Sequence, residues 1–155
     1  MFKGQIQRLL VIGLDVPEAL RSALLKLQEW LPDADLSLLG CMHEWTEPVV
    51  PIPISVRTCP TIEMQVNEQQ QTMQWMRANH FDAAILFTAA DRSPYALAYL
   101  CYLAGIPIRI GQSLEFGGRV LSHCFPPPDL IQESDRHLNL LHSLIHSCLC
   151  DDCES

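Results

Sequence analysis

The run RLLVIGL (8–14) has no polar side chain after Arg8, and that feature restricts the fold more than any other. A strand with one wet face alternates apolar and polar residues. A run that is apolar throughout suits a strand covered on both faces, as in a parallel sheet packed between helices. DAAILFTA (82–89) has the same character, and ADLSLLG (34–40), TIEMQV (61–66) and IPIRIG (106–111) read as further strands.

The segments between them carry helix signals. Asp15, Pro17 and Glu18 resemble a capping box with a first-turn proline. Leu20, Leu24, Leu27 and Leu31 then form one helical stripe, which Pro32 helps to stop. NEQQQTMQWMRANH (67–80) is rich in helix formers. Ser93 and Pro94 fit the N-cap and first turn of a helix reaching about Leu103, closed by Gly105 and Pro107. Ser134 opens a last helix with Leu138, Leu141 and Ile145 on one face.

Three stretches read differently. Pro48, Pro51, Pro53 and Pro60 leave residues 41–60 irregular or at a sheet edge. SLEFGGRVLSH (113–123) reads as a short helix broken at Gly117 and Gly118, and FPPPD (125–129) as extended. Strands alternating with helices predict an α/β, Rossmann-like three-layer domain with a mostly parallel sheet. No repeat or linker divides it. We expect one domain over 1–147 and a disordered, Cys-rich acidic tail over 148–155.

Composition removes several function classes. Apolar residues make up 48% and charged residues 18% of the chain, too apolar a balance for a disordered one. A net charge of −8 speaks against nucleic acid, because phosphate binding needs a basic face. No apolar run is long enough for a transmembrane span, and the N-terminus lacks a signal-peptide pattern, so the expected location is cytoplasmic. Seven cysteines, an odd count, read as reduced thiols.

In doubly wound sheets, ligands sit outside the carboxyl ends of the strands. Two polar groups fall there: Asp15 after the first strand, and Thr88, Asp91, Arg92 and Ser93 after the strand at 82–89. Free N–H groups at helix starts favour an anionic or hydroxyl-rich ligand. The same residues also have structural readings, with Asp15 and Ser93 as helix caps and Arg92 paired to Asp91 in water. Spacing leaves both readings open. A single glycine in VIGLDVP excludes a dinucleotide phosphate loop, no GxSxG elbow is present, and no cofactor is expected. In HLNLLHSLIHSCLCDDCES, His142, His146 and Cys150 are spaced four apart, with Cys153 nearby. Tetrahedral zinc accepts such a mixture, and this set is the alternative to our expectation of no metal, with a frayed helix end and a solvated tail.

FDAAILFT, SPYALAYLCYLAGIPIRIGQSLEFGGRVLSH and DRHLNLL, within residues 81–141, together resemble the heptosyltransferase-like glycosyltransferases of family nine. The resemblance is dense over 80–144 and weak over 41–79. Over 6–40 it is loose, a strand, a helix and LPDADLSLL. It implies a single half of a GT-B enzyme: the N-terminal, acceptor-side half, facing a second domain that binds a nucleotide-sugar donor. Such bacterial-type enzymes transfer a sugar to a lipopolysaccharide-type or similar glycan without a required metal. An acidic residue after the first strand serves as the base, and Asp15 is the candidate here. Thr88, Asp91, Arg92 and Ser93 stand where the acceptor wall would be.

The chain departs from this pattern in a shortened turn before Asp15, and it stops where the family's donor domain should begin. We therefore expect a truncated, acceptor-binding domain that is silent alone, since half a cleft neither aligns two substrates nor excludes water. Hexosyl or heptosyl transfer would need a separate donor domain. The expected partners are a glycan or glycolipid acceptor, and either a donor-domain chain or a second copy in a homodimer. The alternative is a non-enzymatic α/β binding or interaction module.

Overall fold

β1 (Arg8–Gly13) is the apolar run noted above, and every residue after Arg8 is buried. It pairs in parallel with β2 (Asp35–Cys41) on one side and β4 (Ala83–Phe87) on the other. β3 (Ile54–Cys59) lies outside β2, while β5 (Ile108–Gln112) and β6 (His123–Phe125) continue beyond β4. The sheet has six strands in the order β3-β2-β1-β4-β5-β6, all parallel. The computed structural model describes residues 6–13, 17–41, 54–59, 66–88, 93–113, 120–126 and 133–154. Its helices are α1 (Pro17–Trp30), α2 (Val66–Asn79), α3 (Tyr95–Leu103) and α4 (Glu133–Glu154).

Strand alternation divides the apolar residues between two cores. Leu9, Val11, Ile85 and Phe87 face one layer, where Leu20, Leu24 and Leu27 of α1 meet Leu140, Leu141 and Leu144 of α4. Leu10, Ile12, Ala84 and Leu86 face the other, against Met76 of α2 and Ala98 and Cys101 of α3. The result is the expected Rossmann-like three-layer domain, with a fully parallel sheet.

α3 ends as AGIP suggests. Gly105 takes φ +84°, and its N–H donates to the Tyr102 carbonyl at 3.1 Å. The next N–H, of Ile106, donates to the Cys101 carbonyl at 3.1 Å. This reciprocal pair satisfies carbonyls that a helix end would otherwise leave open, and a side chain at 105 would strain it.

Within 41–60, residues 54–59 form an edge strand, one of the two readings given for that stretch, and the prolines at 53 and 60 flank it. Several other expectations need correction. Of the strand expected over 61–66, residues 61–65 lie outside the described residues, and Val66 instead opens α2. The segment expected as a broken helix ends in β6, with 114–119 outside the described residues. α3 starts one residue later than expected: Pro94 is its N-cap, and the Ser93 hydroxyl accepts the Tyr95 N–H at 3.3 Å. The buried stripe of α4 is His137, Leu140, Leu141 and Leu144, with Leu138 and Ile145 only half-buried. The backbone of α4 is helical to Glu154.

Gly13 closes β1 against the first turns of α1. A Cβ there would collide with Cδ1 of Leu20 and lie 3.2 Å from its Cγ. Leu20 is fully buried and has no room to retreat. Gly13→Ala is expected to cost about 1–3 kcal/mol, read as a lower urea midpoint at unchanged m-value. An unshifted midpoint would mean that α1 yields without penalty.

Candidate functional site

The strand order places the topological switch between β1 and β4, whose connections leave towards opposite sides of the sheet. Gly13 and Phe87 are register partners at their carboxyl ends. The two polar groups noted in the sequence thus leave from neighbouring strand ends. A crevice outside such ends is where this fold class holds ligands. Asp15, Asp91 and Arg92 lie outside the described residues. Thr88 follows Phe87 directly, and Ser93 is exposed, its hydroxyl engaged at the start of α3.

The structure adds groups from α4 that apolar periodicity did not reveal. His137 is 1% exposed and packs edge-on against Phe87, ring centroids 5.1 Å apart. Gln112, at the end of β5, is buried and donates from Nε2 to Asn139 Oδ1 at 3.1 Å. The first turns of α4 therefore overhang the carboxyl ends of β4 and β5.

Among the described residues, three buried side-chain polar atoms have no hydrogen-bond partner: Thr88 Oγ1, Arg136 Nε and His137 Nε2. Thr88 directly follows β4, and His137, next to Arg136 on α4, packs against Phe87. Buried polar atoms are nearly always paired, so Thr88 Oγ1 and His137 Nε2 leave hydrogen-bonding capacity open near the end of β4. Burial, and then the Arg136 charge, lower the His137 pKa from 6.5 to about 4. Its imidazole is neutral at pH 7 and can donate or accept at Nε2. DRHLNLL carried the signal, but its histidine sits where the helical stripe wants an apolar residue.

Two other groups stand apart. Burial raises the Cys101 thiol to about 12, against a partial opposing effect of Arg109, which makes it an inert core group. His142 and His146 line a groove at the other end of the sheet, beside the last turn of α1. Among the described residues, no three His, Cys, Asp or Glu side chains stand close enough to hold a metal. Continuous helix from 142 to 153 spans about 16 Å, so one ion with bonds of about 2 Å does not reach all of His142, His146, Cys150 and Cys153. Among the described residues, no helix is long and apolar enough to cross a membrane.

No family model matches the sequence, and no curated protein matches it. Solved structures do. A family 9 glycosyl transferase from Veillonella parvula DSM 2008 superposes with TM-score 0.67 at 15% identity, over 89% of this chain and 41% of that one. The heptosyltransferase WaaC of E. coli, solved with ADP, gives TM-score 0.55 at 12% identity, over 86% of this chain and 45% of that one. The chain thus has the fold found in part of these glycosyltransferases, and it spans about two-fifths of their length. That is the fold the resemblance implied.

Proposed function

We propose that this chain is an acceptor-binding domain of glycosyltransferase type, holding a glycan or glycolipid hydroxyl at the carboxyl ends of β1 and β4. The observation that carries the reading is the trio of unpartnered buried atoms on Thr88, Arg136 and His137. A threonine hydroxyl and a neutral imidazole each donate or accept, which suits a sugar hydroxyl. An arginine N–H donates only, which suits a ring or carboxylate oxygen. Asp15, two residues beyond Gly13, is the carboxylate assigned to draw the proton from the attacking hydroxyl. Asp91, Arg92 and Ser93, which follow β4 in the sequence, are the residues assigned to the acceptor wall. The donor sugar would be presented by a second domain or chain, and without it this chain is expected to transfer nothing.

The test is an array of immobilised bacterial glycans and glycolipids probed with the labelled full chain. Retention of a subset is expected, weakened about tenfold in Thr88→Val, a change of shape-matched side chains that removes one hydrogen bond. Retention indifferent to Thr88 and His137, or none at all, would sink the reading. One observation favours a second reading, a non-enzymatic interaction module. α3 exposes Tyr99 (51%), Tyr102 (54%) and Leu103 (39%), an apolar face of the kind that often marks an interface. Under that reading the array stays blank and the chain sediments as a dimer.

A further inference from the structure

α4 is joined to the rest of the domain by an apolar stripe and by a polar tether. Leu140, Leu141 and Leu144 share a core with Leu20, Leu24 and Leu27 of α1. Apolar burial has no direction, so that stripe holds α4 down without fixing its rotation or slide. A hydrogen bond has limits of distance and angle, and a buried polar pair can set register where apolar contacts leave it open. Gln112 is 3% exposed, and its Nε2 donates to Asn139 Oδ1 at 3.1 Å.

The tether stands beside the candidate site. Ile85 of β4 is the register partner of Ile110 of β5, so Phe87 stands level with Gln112, about 5 Å away across the sheet. Ile110 and Phe87 belong to the core on the α4 side, and strand alternation puts Gln112 on that same face. α4 thus meets two adjacent strand ends. His137 lies on Phe87, ring centroids 5.1 Å apart, and Asn139 is bonded to Gln112. Asn139 follows His137 by two residues, so a rotation or slide at one carries the other with it. We infer that Gln112 and Asn139 are positioning residues, which lock the first turns of α4 and so hold His137 against the end of β4. This deepens the acceptor-site reading, and rests on it only for what the histidine binds.

The test follows the His137 imidazole by NMR titration of the full-length chain, alongside retention on the glycan array. In the parent it titrates at about 4. Asn139→Leu and Gln112→Leu break the tether from the helix and from the strand. Each should bring the His137 pKa up to about 5 or higher, as burial relaxes, and weaken glycan retention about fivefold. The exchange variant Q112N/N139Q keeps two neutral amides and their summed length, and should restore both readings. None of these changes adds or removes a charge beside Arg136, so a shift reports position. A bond that only adds stability would lower the urea midpoint and leave titration and retention at parental values, which overturns the inference. An exchange variant as displaced as the leucine variants overturns it too. A blank array for the parent chain removes the acceptor reading alone, because the His137 titration still decides the positioning.

Discussion

Arg109→Met is expected to lower the unfolding free energy by about 3 kcal/mol, the largest effect we anticipate outside the hydrophobic core. Arg109 sits in β5 with only 9% of its surface exposed, and its guanidinium works as a clamp on the backbone. Nε donates to the Val120 carbonyl at 2.5 Å, and Nη1 to the carbonyls of Ile106 at 2.6 Å and Pro107 at 3.3 Å. The Arg109 backbone N–H meets Ser122 Oγ at 2.7 Å, and the Ser122 N–H returns to the Arg109 carbonyl at 2.9 Å. The guanidinium also lies 5.2 Å from the centre of the Tyr102 ring. One side chain thereby joins the turn after α3, strand β5 and the approach to β6.

Methionine matches only the aliphatic stem and leaves those carbonyls without their donor. Each buried unsatisfied acceptor costs about 1–3 kcal/mol. Arg109→Lys should recover only part of the loss, because an ammonium cannot reproduce the planar fork that reaches Val120 and Ile106 together. Urea unfolding of the three proteins gives the order parent, Lys, Met. A methionine variant as stable as the parent would show that water replaces the guanidinium, and the clamp would then be incidental.

The sequence revealed the sheet centre and was less definite at its edges, for a physical reason. β1 and β4 are covered on both faces, so every position after Arg8 or Asp82 had to be apolar, and that pattern has few other readings. β3 and β6 sit at the two edges, where one row of backbone groups lacks a neighbouring strand. Proline-flanked ISVRTC alternates apolar and polar residues only over 54–57, and HCF is three residues long, so both are too short for a period to decide them. The candidate site divides similarly. Thr88 follows a legible strand and was visible as the polar residue at its end. Arg136 and His137 belong to the site through the packing of α4 on Phe87, a contact 50 residues distant in sequence that no local pattern encodes. Gln112 and Asn139 are joined in the same non-local way.

Acidification should destabilise the protein by about 3 kcal/mol between pH 6.5 and pH 4 through His137 alone. The sign follows from which state takes up the proton. In the unfolded chain the imidazole titrates near 6.5, and in the native protein burial and the neighbouring Arg136 charge hold it at about 4. Well above pH 6.5 both states are neutral at this residue and it contributes no pH dependence. As pH falls through that window, the unfolded chain binds a proton that the native protein refuses, so stability is lost until pH 4 is reached. His137→Leu should flatten the stability profile across this window. The same variant should also be at least as stable as the parent at pH 7, because it replaces a buried, unpartnered Nε2 with apolar surface against Phe87. If glycan retention falls in that stabilised variant, the histidine is kept for its ligand at the expense of stability, a trade-off expected of a binding site and not of a core residue. If His137→Leu destabilises the protein at pH 7 instead, the imidazole makes a structural contribution, and the case for the site returns to Thr88 and Arg136.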